Sequence, residues 1–283
     1  MTTRPFSRIL MAVDGSFNAE AVARYAVRFA HASGASLHVL TVLSPRATGE
    51  EKDAAMASVE RIVREGRESQ VETTGLIREG RACPQIAAVA LEEKIDLAMA
   101  AARRRHAREN RYFIRTVSRW MMAELPCSVL AVRVVDPGRL AHPRKVLISL
   151  DPDEALAAHL APVVSMLAHA AHIRAEILTI FEKSTGFLRE ATPAIFRRHE
   201  SRAGEIAAPI QTALHGEGRE VEEHFSIVPF ACRETMARAV ELHAEAILTA
   251  VTRRDASRRM LRSHPLEILF RETPCDLLVF RPG

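Results

Sequence analysis

"LPCSVLAVR", residues 125–133, returns 148 positions later as "TPCDLLVFR", residues 273–281. Each stretch has a proline break, a cysteine, an apolar run and a closing arginine. Two earlier stretches also repeat: "RILMAVDGS" (8–16) matches "KVLISLDPD" (145–153), and "LHVLTVL" (37–43) matches "AEILTIF" (175–181). Cys83 aligns with Cys232 one register away from the Cys127–Cys275 match, so the first copy holds one extra residue between them. A repeat of about 140 residues is far longer than a solenoid unit and signals a duplicated domain. The halves are read as residues 1–136 and 144–283. The join at 137–143 lies inside "VVDPGRLAHPRK", whose Asp-Pro-Gly and His-Pro break regular structure.

Within the first copy, apolar runs alternate with helical spacing. "RILMAVD", "ASLHVLTVL", "IDLAMAA" and "CSVLAVRVV" read as buried strands, and "VETTGLIRE" as a more exposed one. Residues 18–34 carry apolar side chains at helical spacing and stop at Gly34. Residues 50–68, 83–94 and 112–125 also read as helices. The order is βαβαβαβαβ, twice. Near-continuous apolar strands joined by helices specify a parallel sheet covered on both faces. The fold expected is therefore α/β: two tandem, doubly wound, open five-stranded parallel sheets of Rossmann-like type. Ligands of such sheets bind beyond the carboxyl ends of the strands, at the switch point.

Composition narrows the function classes. Of 283 residues, 48% are hydrophobic and 5% aromatic, which gives aliphatic cores. No apolar run approaches the ~20 residues of a membrane span. The first strand follows a short polar start, and the four cysteines lack CxxC spacing, which predicts a cytoplasmic chain with structural thiols. No metal-ligand spacing, nucleophile elbow or Ser-His-Asp setting stands out. The net charge of +4 is concentrated in places. "AAARRRHARENRYFIRT" (100–116) follows the fourth strand with seven basic side chains, counting His106, and the second copy carries Arg253, Arg254, Arg258, Arg259 and Arg262. Guanidinium groups suit an anionic ligand or an acidic protein surface. With only Tyr112 and Phe113 available for stacking, nucleic acid is not indicated.

The duplicated unit, with "ILMAVDGS", "LHVLTVL", "IDLAMAA" and "CSVLAVR", resembles the universal stress protein family in its tandem form. The resemblance implies a stress-response role. It also implies a site for ATP or another adenine nucleotide, with an Asp after strand one, a residue at the end of strand two, and a G-x2-G-x9-G-S/T loop after strand four. It further implies that the last strands of the two copies pack together as an intramolecular pseudo-dimer, leaving open a further homodimer. Carried over, the first copy offers Asp14 and Val42, then Ala101, Arg104 and Arg115 at the glycine positions and Thr116 at the hydroxyl position. The second offers Asp151 and Ile180, then Ala250, Arg253, Ser263 and His264. None of the six glycine positions holds glycine. A side chain held at positive φ costs about 1 kcal/mol or more, and its Cβ obstructs a phosphate. The usual ATP loop is therefore read as lost in both copies, with residual nucleotide or anion binding in the first, which keeps Asp-Gly-Ser and Thr116. The alternatives are a slow ATP hydrolase and a protein-interaction scaffold.

Overall fold

The computed structural model describes residues 6–102, 116–139, 142–190, 192–257 and 264–283. The arginine-rich stretch at 103–115 and residues 258–263 lie outside them, and with them the candidates Arg104, Arg115 and Ser263.

The first half runs β1 (Arg8–Val13), α1 (Phe17–Ser33), β2 (Ser36–Leu43), α2 (Gly49–Glu68), β3 (Thr73–Glu79), α3 (Ala82–Glu92), β4 (Leu97–Ala101), α4 (Val117–Glu124) and β5 (Ser128–Arg133). A short 3-10 turn, Pro137–Arg139, leads into the second half. That half runs β6 (Lys145–Leu150), α5 (Glu154–Ala170), β7 (Arg174–Glu182), α6 (Thr185–Glu190), α7 (Pro193–Gly216), β8 (Val221–Val228), α8 (Ala231–Leu242), β9 (Ala246–Ala250), α9 (Arg253–Ser257), α10 (Pro265–Glu272) and β10 (Asp276–Arg281).

Local chemistry sets these boundaries. Ser16 caps α1 by accepting from the Ala19 amide, and Gly34 ends it in the left-handed conformation at φ 63°. Thr48 and Glu51 form a capping box on α2. Asp153 caps α5 through the Leu156 amide. Gly15 is required twice over: its φ is +76°, and a Cβ there would lie 3.1 Å from Ala55 Cα in α2.

All the strands join one ten-stranded sheet in the order β3-β2-β1-β4-β5-β10-β9-β6-β7-β8. Every neighbouring pair is parallel except β5 and β10, which run antiparallel with Ala131 opposite Val279. The two halves thus meet edge to edge through their last strands, the repeated stretches 125–133 and 273–281. Closing these two edges against each other removes unpaired ladder groups from the middle of the molecule. One core lies on each sheet face, and each runs through both halves. The order reverses between β1 and β4 and again between β6 and β9, which places one switch point in each half.

The closing arginines of the repeat cross the seam. Arg281 is fully buried, and its guanidinium donates to the carbonyls of Met122 (2.9 Å), Met121 (3.2 Å), Leu125 (2.7 Å) and Pro282 (2.7 Å). It thereby satisfies the carboxyl end of α4 in the other half, where a helix accumulates negative charge. Burial, then the neighbouring Arg253, pull its pKa down to about 10. Arg133 reaches the opposite way, to the Phe270 carbonyl of α10.

Among the described residues, the second half departs from the first at the extra helix α6, which stands between β7 and α7 where the first half passes directly from β2 to α2. The thiols also differ from a uniformly buried set. Cys275 is buried, whereas Cys83, Cys127 and Cys232 are half-buried, and all four are free. No helix among the described residues is long and apolar enough to cross a membrane.

Candidate functional site

Beyond the carboxyl ends of β1, β2 and β4 lies a cavity of 630 Å3, a size suited to a small ligand. Its floor is small because the strand ends there are Ala12, Ala100 and Ala101, and Ala19 of α1 adds no bulk. Leu40, Val42 and Ile86 give an apolar wall, with Trp120 of α4 beside them. Asp14 stands at the rim, where its Oδ1 accepts from the Ser16 amide at 3.1 Å. Thr116 opens α4 as its N-cap, Oγ1 accepting from the Arg119 amide at 3.2 Å and lying 3.0 Å from Ser118 Oγ. The amino end of α4, Thr116 and Arg119 therefore offer donors to an anion. Ser257 of α9 lines the same cavity, so the second half contributes to it.

Of the first-copy candidates, Asp14, Val42, Ala101 and Thr116 share this one cavity. Arg119 and Trp120 also line it. Both fall in the helix read over residues 112–125, with no sequence signal that they turn toward a ligand.

Among the described residues, the second half does not form the equivalent space. At Asp151, the cleft lined by Ser149, Leu150, Asp153, Leu156, Ala157 and Ala250 is too narrow for a water molecule. The aligned residues explain this. Leu156 stands where the first half has Ala19. Ser149 and Thr249 replace Ala12 and Ala100, and Thr235 replaces Ile86. These three knit the strand ends together: Ser149 Oγ lies 2.9 Å from Thr235 Oγ1, and Thr249 Oγ1 donates to the Ser149 carbonyl at 2.9 Å. The remaining second-copy candidates do not converge. Ile180 is buried in the core, Arg253 donates to the Leu125 carbonyl of α4, and His264 caps α10 through the Leu266 amide at 3.3 Å.

Charge also separates the halves. Asp151 keeps exposed surface, yet its carboxyl sits down among the strand ends. That enclosure, then Asp255, Glu182 and Asp153, push its pKa up to about 6. An acidic cluster of this kind repels a phosphate.

A Glu176–Glu222–His224 group on β7 and β8 holds its ligand atoms within 4.8 Å of one another. Glu176 is committed to Arg238, which donates to its carboxylate.

The universal stress protein family model matches residues 5–133. Over 99% of this chain, the structure superposes on a universal stress protein from Archaeoglobus fulgidus with a TM-score of 0.69, 15% identity and 97% of that chain covered. It also superposes on a functionally unknown protein from Pseudomonas aeruginosa with a TM-score of 0.65 and 16% identity, covering 99% of this chain and 94% of that one. These likenesses are of fold. No curated protein matches the sequence.

Proposed function

Residues 5–133 are a domain of the universal stress protein family, and from that premise we propose that the chain is a cytoplasmic stress-response protein that acts by binding. Residues 1–136 form the binding domain and residues 144–283 a second domain of the same fold, joined by 137–143. The ligand is an adenine nucleotide, ATP or a close relative, held in the first-half cavity. The observation that carries this reading is the asymmetry between the two switch points: 630 Å3 beside Asp14, and no room for a water beside Asp151.

The residues present fit such a ligand in part. Leu40, Val42 and Ile86 make a slot of the apolar kind that takes a base. Asp14 can accept from a ribose hydroxyl or an exocyclic amine. Thr116, Arg119 and the amino end of α4 can donate to phosphate oxygens. No glycine-built cradle backs them up, since Ala101 and Thr116 flank the position. Binding should therefore be weaker than a glycine loop would give, and more dependent on side chains.

A thermal-shift titration of the full chain with ATP, ADP and AMP, with and without Mg2+, tests this reading. A ligand that binds only the folded state raises the melting temperature as its concentration passes Kd. A saturable shift supports nucleotide binding. No shift at millimolar nucleotide would turn the reading toward a protein-interaction scaffold.

A further inference from the structure

A second cavity, of 570 Å3, opens in the second half, between the ends of β6 and β7 and the helices α6 and α7. It exists because α6 is inserted there. Phe187 of that helix faces His199 of α7, ring centroids 6.0 Å apart, and His199 packs edge-on against Phe181 of β7 at 4.7 Å. Ile195 completes an apolar wall. His199 Nδ1 lies 2.8 Å from the Ile195 carbonyl, an acceptor only, so Nδ1 carries the proton and Nε2 is left for other partners.

The polar lining is one-signed: Lys183, Arg198 and Arg202, with no carboxylate among the described residues that form the wall. Arg202 is already paired, with Glu154 at 3.1 Å and Glu205 at 2.6 Å. Lys183 and Arg198 have no carboxylate partner among the described residues. Lys183 Nζ instead lies 5.6 Å from the Phe187 ring centroid, a cation held over the apolar wall. An aromatic wall beside two unneutralised cations is complementary to one kind of molecule.

We infer that this cavity binds an amphipathic anion: a flat apolar body against Phe181, Phe187 and Ile195, and a carboxylate or phosphate head between Lys183 and Arg198. This site shares no residue with the Asp14 cavity.

The test is a fluorescence titration of the full chain with anilinonaphthalene sulfonate, an aromatic anion. The same titration is run with phenylnaphthylamine, which has the same body without the charge. Lys183 and Arg198 are exposed, so K183Q/R198Q should fold, and its melting curve checks that. The expected result is saturable sulfonate binding that weakens about ten-fold or more in K183Q/R198Q, with the uncharged dye indifferent to the change. F187S should weaken both dyes. Competition by naphthoate or by naphthyl phosphate then names the head group. Sulfonate binding that is unsaturable, or equal in the wild type and both variants, would overturn the proposal. So would failure of both competitors to displace the dye.

Discussion

Tyr25 of α1 donates from its hydroxyl to Asp276 Oδ2 at 2.7 Å, inside the protein, across 251 residues of sequence. The other oxygen of Asp276 accepts the amides of Val135 (2.7 Å) and Asp136 (3.2 Å), just past β5. One carboxylate at the start of β10 thus ties the first helix of one half to the chain leaving it. Burial raises the pKa of Asp276, and these donors oppose that rise by favouring the ionised form. Y25F removes one donor from a buried acceptor. It should cost about 1–3 kcal/mol in urea denaturation, with the denaturant dependence unchanged. An unaltered midpoint would mean the bond is not holding the seam.

Arg281 is the stronger tie. R281A removes the buried guanidinium: the Met122 carbonyl loses its side-chain donor, whereas the Met121 carbonyl keeps the Leu125 amide and the Leu125 carbonyl keeps Arg253. The expected loss is about 1–3 kcal/mol, against a smaller loss for R133A, where the side chain is only half-buried. Equal costs for the two variants would refute the idea that the seam leans on one arginine.

G15A should destabilise by at least about 1–2 kcal/mol, because alanine resists φ +76° and its Cβ would press on Ala55 in α2. A neutral substitution would show that the turn after β1 can relax.

Asp151 gives a pH signature. Its carboxyl titrates near 6 in the folded chain against an ordinary 3.8, so the folded state holds the proton more tightly. The cost of the charge is full above pH 6 and fades as the pH falls toward 4. D151N should therefore melt higher than wild type at pH 7.5, and the gap should close on acidification through that window. A gap independent of pH would argue against the acidic cluster.

The strands were legible because a parallel sheet buried on both faces writes itself as apolar runs, and the repeat of 125–133 at 273–281 placed the two closing strands. Asp14, Val42, Ala101 and Thr116, carried over from the family resemblance, line one cavity because the strand ends converge at the switch point. The seam partners were not legible. Tyr25 and Asp276 are 251 residues apart, and nothing local marks either as the other's partner. Arg253 read as an anion binder because arginines near a strand end usually face solvent or ligand, but here the carboxyl end of α4 competes for it. The helix α6, six residues with Gly186 in it, has too weak a propensity to announce itself. The closure of the second cleft was encoded in the exchange of Ala12, Ala19 and Ala100 for Ser149, Leu156 and Thr249. Only the contacts show that the exchange fills space.

The proposed single nucleotide site per chain, in the first half, is measured directly by isothermal titration calorimetry of ATP into the full chain. The predicted result is a single site per chain that is lost in D14A and kept in D151A. Two sites per chain, or binding that survives D14A and disappears in D151A, would contradict it.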